Sequence, residues 1–174
     1  MLDIAVAYNR YAFLGYEFLT WLWFVVEKDR DLPATVEPEL TGLAMGNRVV
    51  LENRIQEAVE SITIKGDDAG LEEGLLALRK GAVVTELNLV FKIGEQEWRF
   101  TLKGESFHIA GLKTPETGAI ETRDDIEGFL LEKAYLVEKA VRLTDRLYGL
   151  FLRSRLSGDW NERVLPRLQK WIHE

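Results

Sequence analysis

Between residues 83 and 112, hydrophobic and polar side chains alternate along the chain. The alternation is interrupted at Gly94-Glu95 and again at Gly104-Glu105. A period of two that is broken by short turns is typical of an antiparallel meander with one buried face. We therefore predict three antiparallel strands in this stretch, with these side chains on the covered face: Leu89, Phe91, Trp98, Phe100 and Leu102.

Residues 11–28 form an N-terminal stretch that is apolar almost all round a helix. One face is made by residues at helical spacing, Leu14, Phe18, Trp21, Leu22 and Val25. Further aromatic and aliphatic side chains fill much of the remaining surface. A helix without a continuous polar face is normally buried between two layers or between two subunits. We predict an aromatic helix that is buried on more than one side, either within the fold or at a homodimer contact.

The chain between this helix and the meander, from residue 40 to residue 81, is predicted to form further strands and a short helix. Gly46-Asn47 is predicted to be a turn between two strands, and a third strand runs through Ile62 and Ile64. A short helix is expected from about Leu71 to Lys80, with Asp67 or Asp68 as its cap and Gly81 at its end.

The C-terminal region, 122–173, is predicted to be helical. Thr122 is expected to cap a long helix over about 123–156, and Asp159 a last helix from Trp160 to His173. The apolar stripe of the long helix is predicted to comprise Ile126, Phe129, Leu130, Ala134, Val137, Val141, Leu147, Leu150 and Phe151.

These elements predict an α+β fold. An antiparallel sheet with a central meander is expected to be covered by the N-terminal aromatic helix, the long C-terminal helix and the short terminal helix. A chain of 174 residues is long enough for one domain with a real core. We treat residues 1–174 as a single domain, with an N-terminal helix (11–28), a sheet region (40–112) and a C-terminal helical region (122–173).

Composition limits the class of protein. The chain has no cysteine, so disulfides and thiolate metal sites are excluded. Its start lacks the basic and apolar segments of a signal peptide. The longest apolar run, 21–26, is far shorter than the roughly 20 residues of a membrane span. We expect a soluble, cytoplasmic protein with no membrane partner.

The charge is distributed unevenly along the chain. The net charge is −7, yet residues 139–170 contain eight basic and three acidic residues and carry +5, so the remainder carries −12. A basic end on an acidic body indicates an anionic partner at that end. The cationic, solvated face of a terminal helix would give the same pattern.

No constellation of residues in the sequence indicates catalysis. The two histidines, His108 and His173, are far apart in sequence and have no companion motif. The paired acids Asp67-Asp68 and Asp124-Asp125 stand where helices are expected to begin, so capping explains them better than acid–base chemistry. We predict no catalytic residue, no metal ligand and no cofactor, and therefore no enzyme.

The basic residues of the C-terminal region have helical spacing. Lys139, Arg142, Arg146 and Arg153 are separated by 3, 4 and 7 positions, which places them on one side of a helix. A second ridge on the next helix has spacings of 4 and 3. Such ridges suit contacts with phosphates more than salt bridges within a helix, although the Glu138–Arg142 pair and Asp145 dilute the pattern. The predicted nucleic-acid-binding residues are Lys139, Arg142, Arg146, Arg153, Arg155, Arg163, Arg167 and Lys170.

Three segments resemble the RdgC family of bacterial recombination-associated proteins. They read Phe-Leu-Gly-Tyr-Glu-Phe-Leu-Thr-Trp-Leu-Trp-Phe (13–24), Gly-Ala-Val-Val-Thr-Glu-Leu-Asn-Leu (81–89) and Trp-Arg-Phe-Thr-Leu-Lys-Gly-Glu-Ser-Phe (98–107). The resemblance implies DNA binding with little sequence preference, ring-like dimers around the duplex and restraint of recombinase loading. Members of the family are considerably longer, so the resemblance is to a shortened relative.

Two functions remain open from the sequence. The first is a non-enzymatic DNA-binding protein of the cytoplasm and nucleoid that modulates recombination, with double-stranded DNA and a second copy of the chain as partners. The second is an acidic protein-interaction module, an adaptor or inhibitor, that binds no nucleic acid.

Overall fold

The five strands of the structure form one antiparallel sheet. The computed structural model describes residues 13–55, 58–66 and 69–174. The strands are β1 (Gly42–Ile55), β2 (Ala58–Lys65), β3 (Val83–Ile93), β4 (Gln96–Lys103) and β5 (His108–Lys113). Their order across the sheet is β2-β1-β3-β4-β5, and every neighbouring pair is antiparallel. The predicted meander is β3, β4 and β5, and the prediction is confirmed.

The two faces of the meander differ as the alternation predicted. Phe91 pairs with Trp98 across the strands, and their rings stack with centroids 4.7 Å apart. Each of the five side chains predicted for the covered face is at most 1% exposed. On the opposite face the same register brings Lys92 within 3.3 Å of Glu97, because cross-strand partners point to the same side of the sheet.

Strand β1 corrects one prediction. The predicted turn at Gly46-Asn47 lies inside a continuous strand, at a register shift between Met45 and Val49. A Cβ atom on Gly46 would lie 1.8 Å from Oδ1 of Asn88 on β3. Glycine is therefore needed for the close approach of a neighbouring side chain at a bulge, a role that shares its sequence signal with a turn.

In the described residues, four α-helices accompany the sheet. They are α1 (Phe13–Lys28), α2 (Ala69–Arg79), α3 (Asp125–Arg155) and α4 (Leu165–His173). A 3-10 helix (Leu32–Thr35) follows α1, and a π-helical turn (Trp160–Val164) precedes α4. The architecture is therefore α+β, with an aromatic N-terminal helix and a long C-terminal helix. Residues 11 and 12 of the first predicted helix, and the predicted caps Asp67 and Asp68, lie outside the described residues.

Helix α1 lies at the centre of the core. Its residues Phe18, Leu19, Trp21, Leu22 and Trp23 are each at most 2% exposed. Phe18 contacts Phe151 of α3, with ring centroids 5.6 Å apart, and Trp23 contacts Trp171 of α4 at 5.5 Å. The buried side chains of the sheet and these helices form one cluster. The prediction that this helix is buried on more than one side is confirmed, and the fold itself provides the cover.

Helix α3 corrects the predicted apolar stripe. Val137 and Val141 of that stripe are 39% and 51% exposed. The buried positions are instead Leu136, Ala140, Leu143, Leu147 and Phe151, with Thr144 beside them. Residues 136 and 137 are both apolar, and so are 140 and 141. The helical period is therefore compatible with a buried stripe through 136 and 140 or with one through 137 and 141. The sheet decides between them, because the indole Nε1 of Trp98 donates a hydrogen bond to the carbonyl oxygen of Leu136 at 2.9 Å.

The predicted caps of α3 and of the last helix also need correction. Asp124 stands at the start of α3, and its own side chain makes no capping hydrogen bond. Thr122 acts as a donor: its backbone N–H and its hydroxyl donate to the carboxylate of Asp125 at 2.7 and 2.9 Å. Asp159 makes no capping bond either, because its carboxylate is taken up by Arg163 one helical turn later.

Candidate nucleic-acid interface

The eight predicted cations are distributed over α3, the π-helical turn and α4. Five lie on α3, Arg163 lies in the π-helical turn, and Arg167 and Lys170 lie on α4. The four with spacings of 3, 4 and 7 occupy one side of α3, as helical geometry requires. Arg155 points elsewhere: its Nε donates to Glu17 of α1 at 2.8 Å, and its guanidinium lies 5.3 Å from the ring of Trp160.

Two cations of α3 hold the loop that follows the 3-10 helix. Lys139 contacts Glu39 at 2.5 Å, and Arg146 contacts Glu37 at 2.6 Å. The Glu37 side chain is only 6% exposed, so Arg146 neutralises a carboxylate that has lost most of its water. The hydrogen bond with Glu39 raises the pKa of Lys139, and the same bond lowers the pKa of Glu39. These two cations therefore have a structural role.

Four further cations are in ion pairs that solvent reaches. Arg142 pairs with Glu138 and Arg163 with Asp159, each one helical turn away. Arg167 reaches Asp29 at 3.3 Å, and Lys170 reaches Glu174 at 3.8 Å. The bond from Arg163 lowers the pKa of Asp159. The pKa of Glu174 is lowered chiefly by the hydrogen bond from Lys28, with a smaller contribution from Lys170.

Arg153 is the exception among the eight cations. It is exposed, and within the part of the chain that the structure describes it has no acidic partner. It stands at the edge of a cleft between α1, α3 and the π-helical turn, and Arg163 and Arg167 line the same cleft. The structure therefore brings three of the eight predicted residues together, although they belong to three different elements.

The cleft has an apolar floor and a charged rim. Its volume is about 650 Å³. The floor is formed by Trp21, Phe24, Val25, Leu32, Leu150 and Val164, and the rim by Asp29, Arg153, Ser154, Asp159, Arg163 and Arg167. Sequence reasoning missed the contribution of α1 and the loop after it, because those residues lie more than a hundred positions before the arginines. The sequence did contain a signal for ion pairs within the helices, because an acid and an arginine stand four positions apart at 138/142 and at 159/163.

The resemblance to RdgC remains an expectation from the sequence. Comparison with known proteins gave no match to a family model and no match to a curated protein. Among the described residues, no helix is both long enough and apolar enough to cross a membrane. In the same residues, no group of three or more histidine, aspartate or glutamate side chains is arranged to hold a metal ion.

Proposed function

We propose that this protein is a non-enzymatic DNA-binding protein that contacts duplex phosphates with its helical end and modulates recombination, as its resemblance to the RdgC family implies. One observation carries the proposal. Side chains of Arg142, Arg163, Arg167 and Lys170 remain 47%, 74%, 54% and 79% exposed although each is ion-paired. An exposed ion pair contributes only about 0–1 kcal/mol, so a phosphate can replace the carboxylate.

The proposed interface is narrower than the set of eight cations. Lys139 and Arg146 hold acids of the chain itself, and the side chain of Lys139 is only 15% exposed. The exposed cations Arg142, Arg153, Arg163, Arg167 and Lys170 are the phosphate contacts that we propose. Since phosphates carry no sequence information, binding is indifferent to base sequence and falls steeply with salt.

Fluorescence anisotropy with labelled duplexes of unrelated sequence tests this proposal. At about 50 mM salt the parent protein should bind all of them alike, and the affinity should fall by orders of magnitude on the approach to about 200 mM. Arg142→Gln combined with Lys170→Gln should weaken every duplex equally and flatten the salt dependence. Arg99→Gln, which removes an exposed cation on the outer face of the sheet, is the matched control. The absence of a complex with the parent at low salt would refute DNA binding.

The first half of α3 favours the second function, protein interaction. Its apolar side chains Ile126, Leu130 and Leu131 are between 42% and 66% exposed. Exposed apolar patches of this kind mark interaction sites. The helix begins with Asp125 and Glu127, and the exposed Arg142 follows further along. Antiparallel packing of two copies would bring the acidic start of one helix beside the basic part of the other.

We propose a homodimer through this surface, with a twofold axis across α3. Sedimentation equilibrium should give a dimer for the parent and a monomer for Leu130→Glu, because a charge in the contact would lack a partner. A monomeric parent would refute the homodimer. If the parent is monomeric and binds no duplex, the function that remains is a module that binds another protein.

A further inference from the structure

The apolar floor of the cleft has no role in phosphate binding. Its residues Trp21, Phe24 and Val25 are each at most 3% exposed, so the apolar surface that is open to the cleft comes from the half-buried side chains of Leu32, Leu150 and Val164. A volume of about 650 Å³ is within the range of about 300–1,000 Å³ that is typical of ligand pockets. A floor of this kind takes an apolar group, which the sugar–phosphate backbone does not offer.

The aromatic rings of the floor are not placed to stack on nucleobases. Trp21 already contacts Phe18 and Phe151, with ring centroids 6.2 and 5.6 Å away. Phe24 contacts Trp171 at 5.7 Å and lies under the guanidinium of Arg167 at 5.5 Å. Binding of single strands depends on open aromatic faces. The floor is therefore suited to an aliphatic or aromatic side chain that enters from above.

The rim is suited to a single negative charge. Three arginines and two aspartates give it a net charge of +1. Two of the arginines are paired with Asp29 and Asp159, whereas Arg153 keeps its donors free of acids among the described residues. An arginine matches a carboxylate with two parallel hydrogen bonds.

We propose that this cleft binds the C-terminal residue of a partner protein. The last residue of a peptide carries a side chain and a free carboxylate on the same Cα atom. A hydrophobic side chain would enter the apolar floor, and the carboxylate would meet Arg153 at the rim. Capture of a C-terminal carboxylate is a recurring mode of peptide recognition. The proposal does not rest on DNA binding, since the peptide would occupy the cleft in the absence of any duplex.

Labelled peptides of about ten residues, ending in leucine, isoleucine, phenylalanine or tryptophan, are the probes for this site. Each is prepared with a free C-terminal carboxylate and, as its matched control, with a C-terminal amide. Fluorescence anisotropy of the full chain without DNA should show binding of at least one free acid, and amidation should weaken it about tenfold or more. Because one charge is exchanged, the salt dependence should be much shallower than that of a duplex.

Two variants locate the peptide. Arg153→Gln should weaken binding of the free acid about tenfold, with little effect on the amide. Ser154→Trp should block the cleft and abolish binding of both. Arg99→Gln, on the outer face of the sheet and outside the cleft, is the matched control and should bind like the parent. Thermal melting checks that each variant is folded. If Ser154→Trp does not fold, the conclusion can be drawn from Arg153→Gln alone.

Several results would overturn the peptide proposal. Absence of binding of every free acid at peptide concentrations up to about 1 mM would do so. Equal binding of acid and amide would show that the carboxylate is not recognised. Loss of duplex affinity in Arg153→Gln, with no peptide bound by the parent, would assign the cleft to DNA. Failure of DNA binding leaves the peptide result unaffected, so the two outcomes are separate.

Discussion

The two halves of α3 differ in what covers them. From Asp125 to Tyr135 every residue is exposed except Phe129, which is half-buried. From Leu136 onward the helix buries a side chain about once per turn, down to Phe151. Both halves have apolar residues at helical spacing, so the difference lies in the neighbours. A periodic pattern identifies an apolar face, and only packing shows whether the same chain covers it.

The largest effect is expected in the packed half. Phe151 is fully buried and contacts aromatic rings of α1, α3 and the π-helical turn, so Phe151→Ala should lower the free energy of unfolding by about 3–5 kcal/mol. Chemical denaturation measures it. Leu130→Ala is the matched substitution in the exposed half and should change stability by less than about 0.5 kcal/mol in the monomer. Equal losses would mean that the two halves are packed alike.

Arg146 provides a second contrast along the same helix. Arg146→Gln leaves the buried carboxylate of Glu37 without its cation, and stability should fall by about 1–3 kcal/mol. Arg142→Gln removes only an exposed pair within the helix, which contributes about 0.3–0.5 kcal/mol. Denaturation midpoints of the two variants give the comparison. A smaller loss for Arg146→Gln than for Arg142→Gln would contradict the structural role of Arg146.

At the boundary between the two halves, removal of a single hydrogen-bond donor should weaken the contact between α3 and the sheet. Trp98→Phe keeps an aromatic ring in the meander and removes the N–H group that binds the carbonyl oxygen of Leu136. A net loss of about 1 kcal/mol for the hydrogen bond is expected, with a further loss from the smaller ring. Hydrogen exchange should show faster opening of α3 near Leu136 in this variant. Unchanged exchange there would show that the bond does not hold α3 on the sheet.

The smallest effect on stability, and the sharpest on assembly, is expected at Val141. Val141 lies in the packed half of α3 but is itself 51% exposed, so Val141→Ser should change the free energy of unfolding of the monomer by less than about 0.5 kcal/mol. If two copies pack through α3, the same change should raise the dissociation constant of the dimer measurably in sedimentation equilibrium. A serine variant that dimerises like the parent would place the contact elsewhere.

The meander was readable from the sequence, because its signal is local. Alternation with period two, interrupted by Gly94 and Gly104, fixes both the strands and the covered face, and the register of β3 with β4 follows from the short turn between them. The all-round apolar character of α1 likewise requires cover on several sides. The four-residue spacing of Glu138 and Arg142 was also visible in the sequence, although the cations of α3 were interpreted there as phosphate contacts.

The tertiary structure decided what depends on contacts between distant parts of the chain. The pattern around Leu136 and Val137 fits two phases of one helix, and the indole of Trp98 selects one of them. Gly46 has the signature of a turn, and the nearby side chain of Asn88 places it in a bulge. Cation spacing was visible along α3, but the acids that pair with Lys139, Arg146 and Arg167 come from loops about a hundred or more positions earlier. Helical and strand periods are set by the local backbone, whereas charge neutralisation and burial depend on which segments meet in space.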